Sequence, residues 1–536
     1  LLQKASIITT PTAYDTGKIL SVKPVETYGP ELITNGDFAT NSDWNSGPGW
    51  SISGGAANAS NSISYNRITQ AGAPITTTTL YKLTFTVFVI SGGIVPIVGS
   101  KLGSPISVSG TYTQYLTSTA TTTLIQIASN PSFTGSIDNV SVKEVLNADF
   151  DFTRNSSATR VGSNGLIQDV ASNLPRIDYT GGVGSWKFEP QRTNLLPYSE
   201  DFTNWSVTNA TLTENATISP DGTLNATKIT DNATSGNHRV ITPTTTPTSG
   251  NATYSIFLKK GTMTTCFINM FSGGTIANTF VDLENGTISG GSGLSQTIEP
   301  YGNDWYRVSI TGVLANSSTY VYVYVKQIGG YVGAEDHIFM YGAQLESGSY
   351  PTSYIRSNSG SATTRLADVA NNAGSSDLIN STEGVLYAEI SALADDNNYR
   401  VIAISDGNTS NRVVIDYSNT NKLRAFYAVN NILSAFFDID YDIKQSSKIL
   451  IKYKVNDFQF WVNGFKLGSD NSGAVLTGNT LNTLNFNFGG SSGGEFYGNT
   501  KCVAVFKEAL TDLELECLVS WMSFSDLGIN FGYTVE

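Results

Sequence analysis

Along much of this chain apolar and polar residues alternate one for one. In Tyr81-Lys82-Leu83-Thr84-Phe85-Thr86-Val87-Phe88-Val89, the side chains of Leu83, Phe85, Val87 and Val89 fall on one face. Asp304-Trp305-Tyr306-Arg307-Val308-Ser309-Ile310 and Tyr320-Val321-Tyr322-Val323-Tyr324-Val325 repeat the pattern. A period of two puts one side of a segment in a core and the other in water, so these runs predict half-buried β-strands. Ser91-Gly92-Gly93 and Ser109-Gly110 read as turns, and residues 124–127 and 137–142 as closing strands. Toward the C-terminus, strands are predicted at 384–390, 399–405, 412–417, 423–429, 448–454, 458–462 and 484–488. Asn463-Gly464 between two apolar runs predicts a type I′ hairpin turn. Thr511-Asp512-Leu513-Glu514 is a capping box that opens one short helix, with Leu513, Cys517, Leu518 and Trp521 expected on its buried face.

The pattern also repeats at long range. Glu31-Leu32-Ile33-Thr34-Asn35-Gly36-Asp37-Phe38 runs on to Trp44, and Asn194-Leu195-Leu196-Pro197-Tyr198-Ser199-Glu200-Asp201-Phe202 runs on to Trp205. Thr-rich strand signals follow each opening, and Asp201 matches Asp37. The closing segments differ, with Met340-Tyr341-Gly342 where Ile137-Asp138-Asn139 stood. A second echo links the run Arg154 to Arg160 with the run Arg356 to Arg365. These signals divide the chain into an N-terminal docking segment (1–30), an inserted sandwich (31–146), a small β module (147–190) that pairs with 1–30, a second sandwich (191–356), a linker (357–382) and a third β unit (383–536).

Composition narrows the function classes. Charged residues are 14% of the chain against about 25% in an average globular protein. The net charge of −13 and the lack of a basic run disfavour nucleic acid. Three cysteines, none in a Cys-x-x-Cys pair, make neither a disulfide framework nor a zinc site. No apolar run approaches the roughly 20 residues of a membrane span, and Leu1-Leu2-Gln3-Lys4 lacks the apolar core of a signal peptide.

Catalytic constellations are sparse. The only histidines are His238 and His337, both in loop-like contexts that favour surface roles over a Ser-His-Asp triad. Asp438, Asp440 and Asp442 alternate with Phe437, Ile439 and Tyr441, which reads as a solvated strand face before it reads as a calcium site or a glycosidase acid pair. Trp44 and Trp50 sit in an Asn/Ser/Gly-rich stretch and Trp205 holds the matching place in the second repeat. These three are the candidates for stacking on sugar rings, against core packing as the alternative.

The opening Asn35 to Trp44 together with the closing Ile137-Asp138-Asn139-Val140-Ser141-Val142 resembles jelly-roll carbohydrate-binding modules. That resemblance implies a structural calcium held by Asp37 and Asp138. Phe460-Trp461-Val462-Asn463-Gly464-Phe465 and the run Phe506 to Glu514 resemble laminin G-like, concanavalin A-like sandwiches. Thr16 to Pro24, Phe152 to Tyr179 and Glu189 to Leu195 resemble modular virion proteins of tailed bacteriophages, in which the first two runs can be nearly contiguous. The resemblance implies an all-β, multidomain appendage, a tail fibre or head fibre. It would sit at the virion surface as a homotrimer, with other virion proteins and host-surface glycans as partners and no membrane insertion. Under this expectation the chain is not an enzyme. The alternatives are a secreted polysaccharide-active enzyme or its accessory binding module, and a capsid decoration protein without ligand.

Overall fold

A computed structural model describes residues 1–23, 27–63, 65–76, 79–119, 122–146, 148–247, 249–315, 317–326, 329–489 and 493–520. Among them the architecture is all-β: stacked antiparallel sheets, two 3₁₀ turns and one α-helix, Asp512–Ser520. No helix among the described residues is long and apolar enough to cross a membrane. The chain forms two compact units, residues 24–147 and residues 1–23 with 148–536.

The unit 24–147 is a jelly roll. Leu83, Phe85 and Val87 are fully buried in its core, as their alternation predicts, with Ile125, Ile127, Phe133 and Ile137 facing them. Ser91-Gly92-Gly93 is not a reversal. The strand Leu80–Val98 continues through it, pairing with residues 133–144 on one side and with 125–129 on the other. The glycines sit at a bulge in this continuous pairing: Gly92 has φ +74°, and a Cβ there would lie 1.7 Å from the Ser132 carbonyl oxygen.

The second jelly roll lies in the other unit and has the same strand order. One sheet of the first roll runs Trp50–Ser53, Ala56–Ile63, Leu124–Leu146, Leu80–Val98, Gly110–Thr117; in the second roll it runs Ala210–Ile218, Leu224–Asp231, His337–Ser347, Gly250–Lys260, Trp305–Leu314. The repeated opening is a repeated staple. The Glu31 carboxylate accepts the amides of Ile33 (3.1 Å) and Val142 (2.8 Å), and the Asn194 side-chain oxygen accepts those of Leu196 and Leu345 (3.1 Å each). The Val140 amide meets the Gly36 carbonyl and the Ala343 amide meets the Ser199 carbonyl, both at 2.8 Å. Asn139 and Gly342 take left-handed φ values of 53° and 57° at the same bulge. This register puts Glu200, not Asp201, at the place of Asp37. Asp201 is a one-residue insertion that caps the 3₁₀ turn Phe202–Asn204.

The C-terminal sandwich packs the sheet containing Glu383–Ala392, Ser447–Lys454, Phe458–Val462 and Gly498–Phe506 against a second sheet, Arg400–Ser405 through Ile432–Asp440. The alternation at Phe437 to Tyr441 does fall on a strand, but that strand runs from Ile432 to Asp440, so it starts earlier than the alternation and ends before Asp442. Asn463 and Gly464 both have positive φ, 46° and 90°, as a type I′ turn requires. The capping box forms, with the Thr511 amide donating to the Glu514 carboxylate at 2.9 Å. The helix, however, buries Leu515, Leu518 and Val519 and leaves Leu513 71% exposed. The stripe at i, i+3 and i+4 starts two residues later than expected; Trp521 lies outside the described residues.

The N-terminal segment is woven into this unit. Ala5–Thr9 pairs with Gly498–Phe506, and the hairpin Tyr14–Asp15/Lys18–Ile19 pairs with Phe150–Thr153. Below it a fully buried ion network joins the small module, the second roll and the linker. Arg154 and Arg176 bind Asp368, while Arg176 and Arg365 bind Glu189. Glu189 further accepts from the Ser353 amide (2.7 Å) and hydroxyl (2.6 Å). The two echoed Arg-rich runs thus converge on one hub. Each of the three guanidinium groups touches one of the two carboxylates, so no charge in it is buried without an opposite partner.

Candidate functional site: a polar cleft on the second jelly roll

Strand phase decides what the second roll shows on each face. In Gly250–Lys260, Tyr254, Ile256 and Leu258 enter the core, so Ser255 and Phe257 face outward. In Trp305–Leu314, Val308 and Ile310 enter the core and Arg307 and Ser309 face outward with them. Over this outer face the small module, the segment Ser349–Tyr354 and the C-terminal sandwich enclose a cleft of about 790 Å³. Thr297, Glu299, Tyr301 and Arg307 form its floor, Asp178 and Lys187 one wall, Tyr350 and Pro351 another, and Asp395, Lys444 and Lys501 the far side.

Its electrostatics follow from burial and pairing. Burial opposes charge on Asp178, but Lys187 at 2.8 Å and hydrogen bonds from Thr180 and the Val161 amide hold its carboxyl below the usual range. Glu189 is also resisted by burial, yet Arg365 and Arg176 hold it well below. Burial raises the Tyr301 phenol, against the opposing pull of Arg307 and Lys187, and pushes Tyr350 up to about 12. Both tyrosines therefore stay neutral donors with a half-buried ring. The cleft joins aromatic surface with phenol, hydroxyl, guanidinium and ammonium donors, the mixture that holds a polyhydroxylated ligand.

The tryptophans proposed from sequence are elsewhere. Trp44 and Trp50 are 7% exposed and Trp205 is 4% exposed. Trp44 donates its indole N–H to the Asn35 carbonyl and Trp205 donates to the Tyr198 carbonyl, each at 3.0 Å. Their rings pack on Phe38 and Phe202, and that of Trp50 packs on Phe133. The polar neighbourhood instead supplies carbonyls to the buried indoles of Trp44 and Trp205, while the Trp50 indole N–H is buried without an acceptor among the described residues; all three are core residues and offer no open ring face. Asp37 is exposed and accepts from the Ala39 amide at 3.3 Å. Asp138 accepts from the Asn139 amide at 2.6 Å. They flank the bond from the Val140 amide to the Gly36 carbonyl. At the matching places in the second roll, Tyr341 donates to Glu200 at 3.0 Å and the Arg356 guanidinium binds Glu200, Asp221 and Asp169. Among the described residues no group of three or more His, Cys, Asp or Glu side chains is placed to hold a metal.

His238 is fully buried, not on the surface, with its ring nitrogens 2.6 and 3.0 Å from the carbonyls of Asn209 and Tyr331. Asp438 and Asp440 are exposed and both face Lys422. Sequence reasoning missed Arg307, Tyr301 and Tyr350. For Arg307 a signal existed: it stands in mid-strand, in the phase opposite Val308 and Ile310. Tyr350, beside Pro351 in a connecting segment, had none.

No family model matches the chain and no curated protein matches it. Solved structures similar to it include the carbohydrate-binding module CBM40 of a Ruminococcus gnavus IT-sialidase (12% identity, 28% of this chain and 94% of that one, TM-score 0.24). The CBM22 tandem of Paenibacillus barcinonensis Xyn10C is 8% identical over 60% of this chain and 99% of that one, with a TM-score of 0.19. A Trypanosoma rangeli sialidase is 11% identical over 96% and 100%, with a TM-score of 0.23. At such values the likeness carries no inference about what this chain binds.

Proposed function

We propose that the chain is a structural, glycan-binding protein of a bacteriophage particle, a fibre or surface appendage, that acts by binding and not by catalysis. The observation that carries the binding role is the cleft over the second jelly roll, which Tyr301 and Tyr350 line together with hydroxyl and guanidinium donors. The resemblance of Thr16 to Pro24 and of Phe152 to Tyr179 to phage virion proteins supports the particle, and a homotrimer is the assembly it implies. Asp178 and Glu189, the buried carboxylates of the cleft, are committed to Lys187, Arg176 and Arg365, which suits a binding site better than a proton-transfer site. The test is a glycan array probed with the full chain. Saturable binding is expected, weakened about fivefold in Tyr350→Ala, since a stacked aromatic contact contributes on the order of 1 kcal/mol. A chain that binds no glycan overturns the reading, and release of reducing ends from a bound glycan overturns the non-catalytic part of it.

A further inference from the structure

Five arginines are buried among the described residues: Arg154, Arg176, Arg307, Arg365 and Arg400. Four of them contact a carboxylate: Arg154 and Arg176 that of Asp368, Arg365 that of Glu189, and Arg400 that of Asp396. Arg307, 4% exposed, is the exception. Its Nη2 donates to the Ser255 hydroxyl at 2.9 Å, its guanidinium lies 5.5 Å from the Phe257 ring centroid, and its Nε is buried without a hydrogen bond. Among the described residues no carboxylate reaches it within ion-pair distance, although the exposed Glu299 sits directly across the strand pair. A buried cation without a counter-ion is costly and calls for one.

Arg307 also lines the cleft. The other cations there are Arg160, Lys187, Lys444 and Lys501, and the carboxylates are Asp178, Glu189, Glu299 and Asp395. Asp178 and Glu189 are already neutralised by Lys187 and by Arg176 with Arg365, and Lys501 lies 3.8 Å from Glu389, which leaves Arg160, Arg307 and Lys444 against Glu299 and Asp395, an excess of cations in a chain of net charge −13. A guanidinium presents a planar fork that matches a carboxylate with two parallel hydrogen bonds, and Tyr301 adds a neutral phenol donor beside it.

Resting on the glycan-binding reading above, we infer that the cleft selects a carboxylate-bearing saccharide, a uronic- or sialic-acid-type residue whose carboxylate is the missing partner of Arg307. The experiment uses the full chain and an array of acidic oligosaccharides printed beside the same oligosaccharides with each carboxylate reduced to the alcohol. Binding to the acidic member of a pair is expected to exceed binding to its reduced twin by about tenfold or more. Arg307→Met should erase that difference, and Arg307→Lys should keep part of it. Should Arg307→Met fail to fold, Thr297→Trp, an exposed floor position that a large ring would fill, should abolish binding to the acidic glycans. Equal binding to the two members of each pair overturns the carboxylate specificity while the glycan-binding reading stands. No binding to any member overturns both. A folded Arg307→Met that retains the preference overturns the role of Arg307.

Discussion

At the scale of single residues, the buried charges decide most. Glu189 is buried between Arg176 and Arg365, so removing its charge leaves Arg365 without its carboxylate and Arg176 with Asp368 alone. Glu189→Gln is expected to cost about 3–5 kcal/mol in denaturant unfolding. The pH dependence has a definite sign. The folded carboxyl lies below its ordinary value, so its stabilisation is fully present above the unfolded carboxylate pKa near ~4.3 and is lost as pH falls through the folded value. The stability gap between wild type and Glu189→Gln should be widest above about pH 5 and should narrow in acid. A gap that grows on acidification would show that Glu189 is not the ionised partner. Glu514, bonded to Lys4 at 2.8 Å, behaves alike on the surface: burial resists its charge, but the Lys4 and Thr511 bonds bring it down to about 2.

At the scale of elements, edges and bulges matter more than strand interiors. Ala5–Thr9 covers part of the edge of Gly498–Phe506 in the C-terminal sheet. Deleting residues 1–10 should expose Val503 to Phe506 as an unpaired edge, lower the melting temperature and promote association, read by thermal unfolding and size-exclusion chromatography. An unchanged melting temperature and elution volume would refute that pairing. Gly92→Ala should destabilise the first roll by more than about 1 kcal/mol, because it adds both an unfavourable φ and a clash with Ser132. What was legible from sequence were local periodicities: the alternation at Leu83, Phe85 and Val87, the Asn463-Gly464 turn, the capping box, and the repeat at Glu31 and Asn194. What was not legible depends on partners far along the chain. Gly92 reads locally as a turn, and only the pairing with residues 125–144 shows it to be a bulge inside a continuous strand. Trp44 and Trp205 read equally as sugar platforms or as core until the carbonyls of Asn35 and Tyr198 are seen to accept their N–H groups. Arg307 gave its strand phase but not its lack of a counter-ion, which depends on everything packed over the sheet.

At the scale of the whole molecule, residues 24–147 leave and rejoin the larger unit at neighbouring points. Ser21 donates its amide to Asp149 at 2.8 Å, and Ile19 pairs with Phe150. Replacing residues 24–147 by a short Gly-Ser link should therefore leave a soluble protein that still buries the hub, and total loss of soluble protein would count against an insertion. A truncation ending near Ser381 is a poor probe of particle attachment, because it strips Ala5–Thr9 of its partner strand at Gly498–Phe506. Mass in solution tests the trimer instead. The account as a whole rests on the cleft being where ligand binds. A crystal structure of the full chain soaked with the tightest acidic oligosaccharide from the array tests this most directly. The account predicts sugar density between Thr297, Tyr301 and Tyr350 with a carboxylate against Arg307; an empty cleft with sugar bound on the sandwich loops around Trp44, Trp50 or Trp205 would contradict it.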